Sequence, residues 1–283
     1  MNRRKKNDPF FPSPTSRYYR REAVRKNPVA PDGSKFSLVC VGRVRAARGQ
    51  VLPEEMFQFV GICWCIAGEL ELHYDGVPVI LRPGWVSICF PGTLALCTVA
   101  GDSAEFALLA FDGADAVKNV IEAGLWEGEF PSGPPPTEWL DLLYERLDKA
   151  GWDGDDVASS IAFDLLVRLG DAVRRNVPDK LAHEARQVVH TRWSEASFNV
   201  ADLALRLGVD RSTLYRRFRL ATGLGISDYL AALRTKEACR LLKTTALPVA
   251  AIGKAVGLPT PTYFSRFFVR QTGLSPRSYR NIP

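Results

Sequence analysis

Two segments of the sequence carry arginine, hydroxyl and tyrosine side chains at matching positions. The first is NVADLALRLGVDRSTLYRRFRLATG (199–223), and the second is PVAAIGKAVGLPTPTYFSRFFVRQTG (248–273). These side chains donate hydrogen bonds to base edges and phosphate oxygens, which is the chemistry of a DNA-binding surface. The candidate contact residues are Arg211, Ser212, Tyr215, Arg216 and Arg219 in the first segment, and Thr262, Ser265, Arg266 and Arg270 in the second.

The two segments are copies of one supersecondary unit. Gly208 corresponds to Gly257 at an offset of 49 residues, whereas Arg216 corresponds to Arg266 at an offset of 50, because the second turn has one added residue. Each copy has the order helix, glycine-containing turn, helix, which is that of a helix-turn-helix. Both glycines follow a first helix, at the C′ position that favours a residue with positive φ.

The second helix of each copy must present the candidate residues, and a connecting helix must set their separation. Leu214 and Phe218 are four residues apart, and Phe264 and Phe268 repeat that spacing, which predicts a core-facing stripe. The candidate residues then lie on the opposite face. Ser227 is predicted to cap a long helix between the copies. A rigid helix there would fix their separation, and successive major-groove faces recur about 34 Å apart.

The net charge is unevenly distributed along the chain. The 283 residues carry a formal charge of +6, made up of +7 in residues 1–26, −11 in residues 27–180 and +10 in residues 181–283. A basic third beside an acidic middle indicates a nucleic-acid-binding domain joined to a domain of another kind. Double-stranded DNA is the predicted partner.

Short apolar or alternating runs separated by Gly and Pro fill residues 36–112, a pattern that predicts an antiparallel barrel or jelly roll. Asp75-Gly76 between two such runs predicts a hairpin. The expected fold class is a multidomain α+β protein, with an antiparallel β-barrel and two helices followed by an all-α double helix-turn-helix domain. The predicted regions are a basic arm at 1–30, the barrel at 31–131, a helical segment at 137–177 and the helix-turn-helix domain at 180–283.

Amphipathic spacing predicts two helices between these domains. Leu140, Leu143 and Leu147 lie on one stripe, and Leu165 and Leu169 lie on a second. Such stripes need a partner surface, so the helices are expected to cover the barrel or to pair with a second subunit in a homodimer. The basic arm has two candidate partners, the acidic barrel and DNA phosphates.

Several classes of function are disfavoured by composition. No apolar run approaches the roughly 18 residues of a membrane span, and the basic start lacks the apolar stretch of a secretory signal, so a cytoplasmic protein without a membrane partner is expected. The six cysteines include no C-x-x-C pair, and buried thiols are expected rather than a zinc site built from Cys63, Cys65, Cys89 and Cys97. With three histidines, we expect no catalytic residues, metal, cofactor or enzyme activity.

The end of the chain, YFSRFFVRQTGLSPRSYR (263–280), resembles the closing motif of AraC-type transcription regulators. The connecting segment YLAALRTKEACRLL resembles that family too, and GELELHYDG with LRPGWVSICFPG looks like the two cupin segments of its sensor domain. The resemblance implies a cupin-like barrel that binds a small effector, often a sugar, an arm that closes over the ligand, a DNA-binding dimer and contact with RNA polymerase. The family's base-reading positions fall on Ser212, Tyr215 and Arg216, and on Pro261, Thr262, Ser265 and Arg266.

The sequence departs from the family pattern at several positions. Gly253 stands where Ala is usual and is expected to weaken its helix by up to about 1 kcal/mol. Leu258 replaces a usual Phe, and Val269 replaces a usual Lys. Arg216 and Arg266 are expected to read guanine in bidentate fashion, with phosphate anchoring as the alternative. Arg217, between the core and surface faces, is a further candidate phosphate anchor.

An effector would occupy the barrel mouth, lined by alternating inward residues. The candidate ligand-binding residues are the stacking platforms Trp64 and Trp85, with Glu54, Glu69, Glu71 and Arg43 as hydrogen-bonding partners. The alternative for each is core packing or an exposed surface position. Two further alternatives concern the whole chain. The barrel could serve only dimerisation, or it could be a cupin enzyme with a DNA-binding tail, which the scarcity of histidine disfavours.

Overall fold

The computed structural model describes residues 19–24, 35–48, 51–74, 76–149 and 156–282. The chain divides into two compact units. We call residues 1–177 the amino-terminal unit and residues 178–283 the carboxyl-terminal unit.

The amino-terminal unit is built on ten described strands, which lie in two antiparallel sheets. In chain order they are β1 (Tyr19–Val24), β2 (Ser37–Ala47), β3 (Val51–Met56), β4 (Val60–Ala67), β5 (Leu70–Tyr74), β6 (Val77–Leu81), β7 (Trp85–Cys89), β8 (Leu94–Val99), β9 (Ser103–Asp112) and β10 (Gly128–Pro131). The six-stranded sheet, sheet A, has the order β1-β2-β9-β4-β7-β10, and the four-stranded sheet, sheet B, has the order β3-β8-β5-β6.

The predicted antiparallel strands are present, but they form two open sheets instead of the expected barrel. Among the described residues no ladder joins sheet A to sheet B, so both sheets remain open. Sheet A is a middle layer, and this explains the uninterrupted apolar run along β4. Val60, Ile62 and Trp64 pack on the side of the helices, whereas Cys63 and Cys65 pack between the two sheets. A strand buried on both faces reads as continuously hydrophobic, and that pattern does not reveal whether the sheet closes.

Two local predictions in this unit have structural outcomes. Tyr74 pairs with Val77 across β5 and β6, so the hairpin is confirmed, with Gly76 at φ 81°. Asp75 itself lies outside the described residues. The strand β1 falls within the expected basic arm, yet it pairs along β2 from Arg45 to Cys40. Residues 1–18 lie outside the described residues.

Three helices cover the outer face of sheet A. They are α1 (Ala116–Glu122), α2 (Thr137–Lys149) and α3 (Asp156–Asn176). Leu140 and Leu143 of α2 and Leu165 and Leu169 of α3 are buried against the sheet, as the amphipathic spacing predicted. None of the described helices combines the length and hydropathy needed to cross a membrane.

The described part of the carboxyl-terminal unit is helical. Its helices are α4 (Lys180–Arg192), α5 (Val200–Arg206), α6 (Arg211–Thr222), α7 (Ile226–Thr244), α8 (Val249–Ala255), α9 (Pro261–Thr272) and α10 (Pro276–Arg280). One hydrophobic core joins α4, α5, α6 and the start of α7. A second core joins the end of α7 with α8 and α9. The two predicted helix-turn-helix units are therefore α5 with α6 and α8 with α9.

The turns confirm one prediction and correct another. Gly208 and Gly257 have φ values of 66° and 74°, the positive φ expected after a first helix. Ser227, in contrast, is not the cap of α7. The N-cap is Gly225, which makes no side-chain capping bond, and Ser227 lies inside the first turn. The helix begins earlier because Ile226 is buried in the first core.

Candidate DNA-binding surface

The helix α6 begins with a firmly held cap. Asp210 accepts a hydrogen bond from the backbone N–H of Thr213 at 2.8 Å, and the hydroxyl of Ser212 donates to the same carboxylate at 2.6 Å. These bonds, with that of Ser212 first, hold the pKa of Asp210 well below its usual range. The cap is therefore ionised at neutral pH, and the Ser212 oxygen remains able to accept a hydrogen bond.

The two faces of α6 separate core from solvent as predicted. Leu214 and Phe218 are fully buried. The opposite face exposes Arg211, Ser212, Tyr215, Arg216 and Arg219. Arg219 donates to the Tyr215 hydroxyl at 3.2 Å, so these two side chains support one another on the surface.

Arg217, which was a candidate phosphate anchor, has an internal partner. Its Nε and Nη2 donate to the two carboxylate oxygens of Asp179 at 2.8 and 2.7 Å. The Arg217 bond is the main reason that the pKa of Asp179 is lowered. Asp179 is also the N-cap of α4 and accepts from the N–H of Ala182 at 2.9 Å. The fork of Arg217 thus ties α6 to the first turn of α4.

The helix α9 begins differently, with Thr260 as an N-cap that makes no side-chain bond and Pro261 in the first turn. Proline suits this position because its missing N–H has no partner within the helix. Phe264, Phe267 and Phe268 are buried. The helix exposes Pro261, Thr262, Tyr263, Arg266 and Arg270, whereas Ser265 is half-buried.

Tyr263 is a further surface residue, beyond the contacts predicted from the sequence. Its side chain is 55% exposed at the start of α9. The helical period places it next to Thr262 and three residues before Arg266, and this spacing could have identified it. A phenol there can donate to a phosphate or stack on a sugar.

The exposed faces of α6 and α9 form a positively charged surface. Neither helix contains an Asp or Glu, and together they carry six arginines, one of which is Arg217. Arginine-rich helices without acidic neighbours attract the phosphate backbone. The 19 residues of α7 separate the two helix-turn-helix units. At 1.5 Å per residue, this helix is about 28 Å long.

The candidate effector residues do not converge on one place. Trp64 is 1% exposed and packs in the core between sheet A and the helices. Trp85 is 44% exposed at the start of β7. Glu69 accepts from Arg82 at 2.7 Å, and Glu71 contacts His73 at 2.9 Å.

Arg43 contributes to a cleft between sheet A and α2. The cleft is open to solvent, with an apolar lining of Ile66, Ala107 and Leu140 among others and a polar rim of Arg43, Thr137, Asp141 and Tyr144. The side chain of Glu54 lies outside the described residues. Trp64, Trp85 and Glu69 do not line this cleft.

A carboxylate fixes the position of Arg43. Its Nε donates to Glu105 at 2.5 Å, and Arg45 donates to the second oxygen of Glu105 at 2.7 Å. Burial raises the pKa of Glu105, but the two arginine bonds outweigh it, so the net shift is downward. Glu105 therefore remains ionised at neutral pH.

The described residues contain no group of three His, Cys, Asp or Glu side chains that could hold a metal ion. All six cysteines are free thiols. Cys65 and Cys97 lie between the sheets, and burial raises their pKa values to about 11 and about 12. These thiols are therefore protonated at neutral pH and poorly nucleophilic.

Two helix-turn-helix units in tandem, with basic outer faces, define the class of this unit as a double helix-turn-helix domain. Residues 203–282 match a family described as a helix-turn-helix domain. The arabinose operon regulatory protein of Escherichia coli (strain K12) is 30% identical over 127 residues, covering 44% of each chain. The Msm operon regulatory protein of Streptococcus mutans is 33% identical over 98 residues, covering 35% of each chain.

A crystal structure of a transcriptional regulator from Chromobacterium violaceum, described as containing an AraC-type DNA-binding domain, is 28% identical. The match covers 35% of this chain and 88% of that chain, with a TM-score of 0.32. This chain spans less than half the length of these two curated relatives. The carboxyl-terminal unit is an AraC-type helix-turn-helix domain.

Proposed function

We propose that this chain is a sequence-specific, DNA-binding transcription regulator of the AraC type, with α6 and α9 as its two recognition helices. One observation carries the proposal: two repeat-related helices bury equivalent aromatic and aliphatic residues and expose arginines on their other faces. Helices of this kind enter successive major grooves. The proposed contacts are Arg211, Ser212, Tyr215, Arg216 and Arg219 on α6, and Thr262, Tyr263, Ser265, Arg266 and Arg270 on α9.

Selection of bound DNA from a random pool tests this function. The full chain is expected to enrich a motif with two blocks about one helical turn apart. Arg216→Ala and Arg266→Ala should each cost about 1–3 kcal/mol and relax one position of one block if the arginine reads a base. A loss that is uniform across sequences would assign that arginine to a phosphate.

The matched control is Arg240→Ala. Arg240 is an exposed arginine of α7, outside both recognition helices in sequence, that bonds to Glu237 at 2.6 Å. It should leave the selected motif unchanged. Failure of the wild-type chain to enrich any motif would contradict the proposed function.

The outer surface of α2 and α3 is the proposed homodimer interface. Leu142, Phe163 and Val167 are 44%, 41% and 43% exposed, although their helices already cover sheet A with the opposite face. Sedimentation of the full chain is expected to show a dimer, and Val167→Glu is expected to shift it towards monomer. A wild-type chain that sediments as a monomer in the absence of DNA would rule out this interface.

A small effector is proposed to bind the cleft between sheet A and α2. Its mixed lining, with one arginine held by Glu105, suits a molecule that has an apolar body and an acidic or hydroxylated group, such as a sugar acid. A thermal-shift screen of sugars and metabolites tests this, because a ligand stabilises by RT ln(1 + [L]/Kd). Arg43→Ala should abolish the shift. No shift with any compound would favour an amino-terminal unit that serves only dimerisation.

We also propose a cytoplasmic location, with RNA polymerase as the second macromolecular partner. Run-off transcription from a promoter that carries the selected site tests this contact. A change in transcript yield that Arg266→Ala abolishes is expected. An unchanged transcript yield, wherever the selected site is placed relative to the promoter, would exclude the contact with RNA polymerase.

A further inference from the structure

Arg234 is a buried cation in the middle of α7, with 9% of its surface exposed. Its Nε donates to the carbonyl oxygen of Trp193 at 2.8 Å, and its Nη2 donates to the carbonyl oxygen of Glu195 at 2.9 Å. A planar guanidinium presents two N–H donors to these acceptors in a fixed fork, whereas a lysine offers a compact point charge without that geometry. The charge is therefore held by two backbone carbonyls of the segment between α4 and α5.

The position of these carbonyls favours a cation. Trp193 is the C-cap of α4, so its carbonyl lies among the unsatisfied acceptors at the negative end of that helix. Burial lowers the pKa of Arg234, and the nearby Tyr263 of α9 raises it. Its two bonds tie Arg234 to the segment that leads into the first helix-turn-helix unit.

The second helix-turn-helix unit also contacts the short segment that contains Trp193 and Glu195. A Cβ atom on Gly257, in the turn between α8 and α9, would lie 2.7 Å from the carbonyl oxygen of Ser194 and 3.0 Å from Nη2 of Arg234. The Trp193 ring packs against the second core. Residues 193–195, Arg234 and Gly257 therefore form one junction, which we call the inter-unit junction.

From this geometry we infer that Arg234 is a positioning residue that fixes the separation of α6 and α9, so that DNA binding depends steeply on the number of base pairs between the two contacts. The inference rests on the proposed function. A helix such as α7 resists bending but leaves the units at its two ends free to rotate on their own contacts. The inter-unit junction removes that freedom because it ties residues 193–195, which precede the first helix-turn-helix unit, to the turn of the second unit at Gly257.

The test uses the site selected by the full chain, rebuilt with one base pair added or removed between its two blocks. Wild type is expected to lose about ten-fold or more in affinity for either altered spacing, since one base pair shifts and rotates the second contact. Arg234→Met is expected to bind the original site more weakly and to discriminate among spacings less than about three-fold. Arg240→Met, on the same helix, is the matched control and should retain the wild-type discrimination.

Two outcomes would overturn the inference. One is an Arg234→Met variant that loses affinity by the same factor at every spacing, because a residue that only stabilises the fold would act in that way. The other is a wild type that tolerates all spacings equally. If Arg234→Met fails to fold, Arg234→Lys keeps the charge but loses the fork, and it should show the same loss of discrimination in weaker form.

A DNA-free measurement separates this inference from the proposed function. Hydrogen exchange of the full chain should show faster exchange of residues 193–198 and 256–260 in Arg234→Met than in wild type, with α6 unchanged. Unchanged exchange at the inter-unit junction would contradict the inference even where DNA binds. Absence of specific DNA binding by wild type would contradict the proposed function while leaving the exchange result to decide the role of Arg234.

Discussion

Gly253 of α8 lies directly against Phe264 of α9, and a Cβ atom at residue 253 would come within 3.0 Å of the Phe264 Cγ and of the Leu258 carbonyl oxygen. The first helix-turn-helix unit has Ala204 and Leu214 at the equivalent positions, both buried in one core. The second unit thus combines a smaller residue with a larger one. Its glycine makes room for the phenyl ring.

This relationship predicts that Gly253→Ala destabilises the carboxyl-terminal unit by about 1–2 kcal/mol, because crowding outweighs the gain of about 1 kcal/mol in helix propensity. In the background of Phe264→Leu, the same change should become stabilising. Calorimetric unfolding of the two single variants and the double variant measures the coupling, expected to exceed about 1 kcal/mol. Additive effects would show that the contact does not explain the glycine.

The two turn glycines should respond differently to alanine. Gly208 and Gly257 share positive φ, but a Cβ on Gly208 meets nothing within 4 Å, whereas one on Gly257 meets Ser194 at 2.7 Å. Gly208→Ala is expected to cost about 1–2 kcal/mol, from backbone conformation alone. Gly257→Ala should cost about 2 kcal/mol more, because the surrounding backbone must also move. Equal losses in calorimetric unfolding would contradict the close approach at Gly257.

Arg217 is expected to contribute to folding rather than to phosphate binding. With Arg217→Ala, the slope of log Kd against log salt concentration should match that of wild type, because Asp179 already holds the guanidinium. The pair is partly exposed, so the loss of stability should be small. Asp179→Asn serves as the opposite test, since it releases Arg217 and should steepen the slope by up to about 1. A slope that falls by about 1 in Arg217→Ala would show a phosphate contact.

The stability of the carboxyl-terminal unit should fall with acidification through His190. Its ring nitrogen lies 2.8 Å from the Tyr229 hydroxyl, and burial, with a smaller effect of the Arg186 charge, lowers the pKa of His190 to about 3. An unfolded histidine has a pKa near 6.5, so as the pH falls the unfolded chain binds a proton at residue 190 before the folded chain does. The contribution of His190 to the free energy of unfolding is therefore complete above about pH 6.5 and is lost as the pH falls towards 3.

The expected slope is about 1.4 kcal/mol per pH unit once the unfolded chain is fully protonated at this residue. Calorimetry of the carboxyl-terminal transition between pH 7 and pH 5 measures it in wild type and in His190→Gln. The free energy of unfolding of His190→Gln should depend less steeply on pH than that of wild type, by the slope that corresponds to about one proton. Identical pH dependence in the two proteins would mean that folding leaves the pKa of His190 at its ordinary value.

Much of the carboxyl-terminal unit follows from local sequence. The repeat offset, the glycine turns and the spacing of Leu214 with Phe218 specify the helices and their buried faces, because these signals lie within a few residues of one another. The partner of Arg217 could not be predicted, since Asp179 is 38 residues away in sequence. The start of α7 was also misplaced, because the burial of Ile226 outweighed the capping preference of Ser227.

The amino-terminal unit was harder to predict for a related reason. Alternation along β4 shows that Trp64 and Cys63 face opposite sides, but it does not say which side meets helices and which meets sheet B. Pairing between strands that are distant in sequence decides whether a sheet closes, and no local pattern records it. Arg43 reaches a cleft because Glu105 holds it, an ion pair between residues 62 positions apart.

The central claim is that α6 and α9 enter two major-groove faces of one DNA duplex. Methylation interference on the selected site tests it most directly, because methylation of guanine N7 blocks the major-groove edge that arginine reads. Two clusters of interfering guanines about one helical turn apart are predicted, with Arg216→Ala removing one cluster and Arg266→Ala the other. A single cluster that both variants weaken equally, or none at all, would contradict the claim.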